Sequence, residues 1–77
     1  MAFSYEIEQS IGKLSESDNG DFTTEVNMIS YNGARPKLDI RKWNRKEDRM
    51  LKGIALTWEE TQILIDLLQD IGAGDFR

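Results

Sequence analysis

At Thr57 the spacing of apolar residues along this chain changes, and it does not change back. Upstream, apolar and polar residues alternate in short runs with a period of two. Downstream, Ile63, Leu64, Leu67, Leu68 and Ile71 recur at the spacing of a helix face. Thr57-Trp58-Glu59-Glu60 marks the boundary as a capping box, with Thr57 as N-cap and Glu60 reaching back to it. Glu59 and Glu60 also suit the positive end of the helix dipole, and Gly72 stands where a left-handed C-cap belongs. A chain whose only helix follows all of its strands has a short menu of folds, because the helix must lie across a face of the sheet to bury its apolar stripe.

Four stretches read as strands. Phe3 to Gln9 alternates strictly, with Phe3, Tyr5 and Ile7 on one side and Ser4, Glu6 and Glu8 on the other. The strand is expected to continue through Ile11. Leu14 breaks the parity, and Gly12 is the expected bulge that resets it. Ser15 to Asp21 is a polar turn containing Asn19-Gly20. A second strand runs from Phe22 to Tyr31. Phe22, Thr24, Val26 and Met28 share its core face; Thr23, Glu25, Asn27, Ile29 and Tyr31 share the opposite, outward one. Asn32-Gly33 marks the next turn, and Pro36 delays the third strand, Lys37 to Trp43. Leu38 and Ile40 are its core positions, while Lys37, Asp39, Arg41 and Trp43 face outward together. A polar link from Asn44 to Arg49 precedes the fourth strand, Met50 to Leu56, with Ile54 and Leu56 as core positions. Strict alternation would put Lys52 on their face, and Gly53 is expected to mark a bulge or twist that turns it out.

The expected fold is therefore α+β: a four-stranded antiparallel sheet followed by one C-terminal helix, β-β-β-β-α, in a single domain over residues 1–77. A chain of 77 residues buries only about 60% of the surface its unfolded state exposes. Its helix is nevertheless apolar over more than one sheet contact requires. Trp58 and Ile65 lie seven residues apart beside the main stripe, next to Leu68. The expectation is a homodimer through Trp58, Ile65 and Leu68, against the plainer account of Ile65 as one exposed isoleucine. The tail from Ala73 to Arg77 is expected to fray.

The chemistry open to the chain is narrow. It has neither cysteine nor histidine, so disulfides, thiolate nucleophiles, imidazole bases and the usual zinc sites are excluded. It lacks a P-loop and a G-x-G-x-x-G motif. Glu16 to Asp21 is acidic, but it lacks the distal glutamate of a calcium loop and reads as a turn. No enzyme activity, cofactor or metal is expected. No apolar run is long enough to span a bilayer, and Met1-Ala2-Phe3-Ser4-Tyr5-Glu6 has neither the basic region nor the apolar stretch of a signal peptide. The chain reads as a cytoplasmic protein, nucleoid-associated if bacterial, with no membrane partner.

Charge is unevenly spread. The whole chain is −4, yet the segment from Arg35 to Lys52 holds eight bases against three acids. A basic patch in an acidic protein points to an anionic partner at one face; a solvated face pairing with the protein's own acids fits the charges equally well. The outward side of the third strand adds a second signal. Lys37, Arg41 and Trp43 stand there at two-residue intervals, with Tyr31 outward on the neighbouring strand. Cations beside exposed rings are what a single strand of nucleic acid requires, charge for phosphates and flat faces for unstacked bases. An outward Trp43 would bury little core area, so its loss would cost affinity rather than folding.

Leu38-Asp39-Ile40-Arg41-Lys42-Trp43, a polar loop, Lys52-Gly53-Ile54-Ala55-Leu56 and an acid-capped helix together closely resemble the positive cofactor 4 family of transcriptional coactivators, nearest to its small bacterial YdbC-type members. The resemblance spans about Tyr31 to Ile71, with Ile11-Gly12-Lys13 as a weaker echo. It implies a homodimer whose helices meet antiparallel, with single-stranded DNA along the sheet. It also implies a role in transcription or in handling melted DNA, with the transcription machinery as a further partner. By motif position, Arg41 and Lys52 would contact phosphates, Trp43 and Tyr31 would stack on bases, and Lys37 would support the backbone path. Lys13 and Arg35 carry over less directly. The chain lacks the long basic or serine-rich extension of eukaryotic members, and its hairpin at Asp18 to Asp21 is acidic. DNA and RNA are both open, and so is a second function class: a module that docks an acidic protein on the same basic face, which needs the charges but not the rings.

Overall fold

The computed structural model describes residues 3–71. Strands β1 (Tyr5–Glu16), β2 (Phe22–Tyr31), β3 (Lys37–Asn44) and β4 (Arg49–Leu56) form one antiparallel sheet in the order β1-β2-β3-β4, and helix α1 (Trp58–Ile71) follows. The capping box is formed as the sequence predicts: the Thr57 backbone N–H donates to Glu60 Oε1 at 2.9 Å, and the Glu60 N–H donates to Thr57 Oγ1 at 3.1 Å. Gly72 and the tail lie outside the described residues. Asn32 and Gly33 both have positive φ, 52° and 78°, which is the primed turn that matches the twist of flanking strands. The Asn32 backbone N–H also donates to the Ser4 carbonyl at 2.9 Å, and Asn32 Oδ1 accepts from the Ser4 N–H at 2.9 Å, so the turn grips the start of β1.

β1 departs most from expectation. It runs to Glu16, and its pairing with β2 skips a residue three times, at Glu8, Ile11 and Leu14. Each extra residue bends the strand and increases its twist. Tyr5, Ile7, Ser10 and Lys13 consequently pair with Tyr31, Ile29, Asn27 and Glu25, all on one face. In β4 the register shifts between Arg41 and Trp43, which leaves Leu51 and Lys52 together opposite Lys42. Lys52 is exposed, as anticipated, but the bulge lies just before Gly53. Gly53 has a different task. A Cβ there would sit 1.9 Å from Arg41 Cβ and 2.7 Å from Arg41 Cα, so β3 and β4 close on each other only because position 53 has no side chain.

The consequence of these bends is a strongly coiled sheet. Tyr5 pairs with Tyr31 and Trp43 with Thr23, eight positions apart on β2. On a flat ladder that is about 27 Å, yet the Tyr5 and Trp43 rings are 6.0 Å apart. The inner face of the coil encloses Thr23, Glu25, Asn27, Ile29, Asp39 and Trp43, all buried. This reverses the expected sides. The face assigned outward is the enclosed one, and the apolar face of Val26, Met28, Leu38 and Ile40 is half-open, with Phe22 and Ile54 exposed. Alternation sorts residues onto two faces; coiling decides which of them is inside.

Helix α1 touches β3 and β4, and Trp58 lines an apolar cleft with Met28, Arg35 and Pro36. Its stripe is not buried on the sheet as predicted. Thr61 and Leu64 are half-buried, whereas Ile63, Leu67, Leu68 and Ile71 are exposed.

Candidate nucleic-acid interface

The enclosed face is polar, and its charges are matched. Asp39, fully buried, accepts from Arg41 twice, Nε to Oδ1 at 2.6 Å and Nη2 to Oδ2 at 2.7 Å. It also accepts from the Tyr31 hydroxyl. The remaining Arg41 terminal nitrogen, Nη1, donates to the Leu51 carbonyl in the β4 bulge at 3.0 Å. A bidentate guanidinium–carboxylate pair of this kind is fixed in geometry as well as charge. Burial, aided by the bond to Asp39, pushes the Tyr31 phenol up to about 12, and the bond to Asp39 raises Arg41 further above its ordinary range.

A second pair closes the other end. Arg45 donates to both oxygens of Glu25, at 2.6 and 2.8 Å, and its third nitrogen bonds Asp48 at 2.8 Å. The Arg45 guanidinium beside Glu25 holds that carboxyl at about 2, against the burial that pulls it upward, and the Thr23 hydroxyl assists. Arg45 also lies over the Trp43 ring, 4.2 Å from its centroid. Nothing in the sequence singled out Arg45 or Glu25. The available signal was a Glu on the same strand face as Thr23 and Asn27, where an acid needs a partner once that face is enclosed.

Two expectations need correction here. Trp43 does not present an open ring: its exposure is 0%, because Arg45 and Tyr5 cover it and the sheet coils around it. Arg41 does not reach freely toward solvent: three of its nitrogens are engaged, and its side chain is 15% exposed. Both residues sit under the candidate surface and hold it, rather than forming its outer layer.

The other candidate cations stand differently. Arg35, Lys37 and Lys52 are exposed, as are Lys42 and Lys46, and among the described residues none of these five forms an ion pair. Lys13 is exposed at the rim beside Glu25, 3.5 Å from Glu16. Tyr31 is half-buried and forms a ring cluster with Phe3 and Tyr5, which the sequence pattern placed together on one side of the first strand, with centroids 6.0 to 6.5 Å apart. Phe3 and Tyr5 were missed because alternation puts them on one side of β1 without telling which sheet face that side joins. The interface thus brings Tyr31, Arg41 and Trp43 into one enclosed network, with Lys37 and Lys13 on the rim. Arg35 stands instead by the Trp58 cleft, apart from that network.

The chain was compared with known proteins. Residues 21–67 match the family model described as Transcriptional Coactivator p15 (PC4). An uncharacterized protein of Treponema pallidum (strain Nichols) is 42% identical over 74 residues, covering 96% of this chain and 86% of the relative.

Proposed function

The chain belongs to the Transcriptional Coactivator p15 (PC4) family, and from that premise we propose that it is a homodimeric single-stranded DNA-binding protein acting in transcription or on melted DNA. The observation that carries this reading is the set of five exposed cations between Arg35 and Lys52 that form no ion pair among the described residues, on a chain whose net charge is −4. Lys37, Lys52 and Arg35 supply phosphate contacts, Lys13 extends them along the rim, and the half-buried Tyr31 lies on the same sheet face as Lys37. Arg41 and Trp43 hold the strands that carry these groups. Rings open to solvent, those of Phe3 and Tyr5, favour nucleic acid over an acidic protein, which has no use for them.

Titration of labelled oligonucleotides tests the reading. A single strand binds more tightly than a duplex of equal length, with little sequence preference. If each chain neutralises about four phosphates, log affinity falls against log salt with a slope near −3, at roughly −0.7 per contact. Equal or tighter binding of duplex overturns the reading; an RNA arm decides between the two single-stranded polymers.

The homodimer rests on the unburied side of α1, where Trp58, Ile65 and Leu68 are exposed beside Ile63 and Leu67. A partner helix removes this apolar surface from water, a gain of about 25 cal/mol per Å². Ile65→Lys places an unpaired ammonium in that contact, which is costly. Sedimentation at tens of micromolar is expected to give a wild-type dimer and a monomeric variant. A wild-type monomer at that concentration removes the dimer from the proposal.

A further inference from the structure

Phe3 is the most exposed aromatic ring among the described residues, at 66%. It is not on loose chain. Ser4, between Phe3 and Tyr5, is bound through both its backbone N–H and its carbonyl to Asn32. The Phe3 ring rests 6.2 Å from Tyr5 and 6.0 Å from Tyr31. Tyr31 in turn is fixed by its hydroxyl bond to Asp39, which Arg41 holds by two more. An apolar ring is therefore presented to water by a chain of contacts that ends in a buried ion pair. Lys37, exposed and without an ion pair among the described residues, lies on the same sheet face as Tyr31, opposite Ile29.

We propose that Phe3, backed by Tyr5 and Tyr31, is a stacking platform for one unpaired nucleobase per protomer, with Lys37 meeting the adjoining phosphate. The proposal rests on the single-strand reading above and adds to it the place where a base is received. The base lies on the outer side of Phe3 and not between the rings. Intercalation needs two stacking distances of about 3.4 Å, roughly 7 Å between parallel planes, whereas these rings are 6.0 to 6.5 Å apart and inclined by 39° to 43°. Every base has a flat face, so the platform accepts all four with little preference.

The test is a fluorescence titration of a labelled thymidine oligonucleotide against wild type, Phe3→Ala, Phe3→Leu and Phe3→Trp, with circular-dichroism melts of each. Phe3→Ala weakens single-strand binding by about five- to a hundredfold, with its melt and salt slope close to wild type because the ring is mostly in water and carries no charge. Phe3→Leu keeps apolar bulk without a π face and shows a similar loss; Phe3→Trp binds at least as well as wild type. Unchanged affinity in Phe3→Ala and Phe3→Leu, while wild type binds, overturns the platform and leaves the single-strand reading intact. A loss accompanied by a flatter salt slope also overturns it, since that marks a displaced cation. Failure of wild type to bind the oligonucleotide overturns both.

Discussion

Trp43→Ala unfolds the domain or brings it close to unfolding. The ring is fully enclosed, under Arg45 on one side and against Tyr5 on the other, so truncation leaves a cavity as well as losing the transfer energy of the indole. Such changes cost about 3–5 kcal/mol. A domain of this size sits at the low end of the usual 5–15 kcal/mol, and each kcal/mol moves its melting point by roughly 4–8 °C. The melt is therefore expected to fall by at least about 12 °C or to lose cooperativity. In a Trp58→Phe background Trp43 is the only tryptophan, and its emission should be that of a buried indole, insensitive to added oligonucleotide. A wild-type melt in Trp43→Ala, or strong quenching of Trp43 by a single strand, would show that the ring opens to solvent.

Arg45→Met carries the second large effect, and its sign depends on pH. In the wild type the folded Glu25 carboxyl titrates near 2, below its ordinary 4.5. The contribution of the pair is thus fully present above about pH 4.5 and is lost as pH falls through 2; it is worth on the order of 3 kcal/mol. Without Arg45, Glu25 is a carboxylate at 6% exposure that keeps the Thr23 hydroxyl and the Asn27 side chain but has lost its guanidinium partner. Breaking a buried pair from one side costs about 3–5 kcal/mol. Burial now governs and raises the carboxyl's titration above its unfolded value. The variant therefore becomes more stable as pH is lowered from 7 toward 5, where the wild type is flat. Urea midpoints at pH 7, 5 and 3 measure this, and Glu25→Gln added to Arg45→Met should remove the inverted slope. A variant that follows the wild-type pH profile means that Glu25 does not depend on Arg45.

Much of the architecture could be read directly. β2 falls at Phe22–Tyr31 as its alternation indicates, and α1 begins at the capping box, because each is set by local patterns that tertiary packing did not override. β1 could not be read past Ile7, since bulges at Glu8, Ile11 and Leu14 insert residues that no period-two rule anticipates. The same bends coil the sheet, which is why Trp43 and Arg41 were placed on the correct face but given the wrong surroundings. Asp39 and Arg41 were placed two residues apart on that face, but their ion pair was not legible, because alternation sends Arg41 outward. The cross-strand reach of Arg45 to Glu25, twenty residues away, depends on register and coil and left no local trace.

The interruptions in β1 also bear on the proposed meeting of two copies. β1 is an edge strand of 12 residues, and a straight edge of that length offers a continuous row of free amides and carbonyls on which further chains can zip without limit. Here the row is offset at Glu8, Ile11 and Leu14, so an incoming flat strand finds matching groups for only two or three residues before it loses step. Open-ended sheet growth is hindered at this edge, while the apolar helix stays accessible. The helix contact proposed above would join like surfaces around a two-fold axis and be complete once two copies have met. The geometry of a few extra residues in one strand thus separates an association that closes from one that would polymerise.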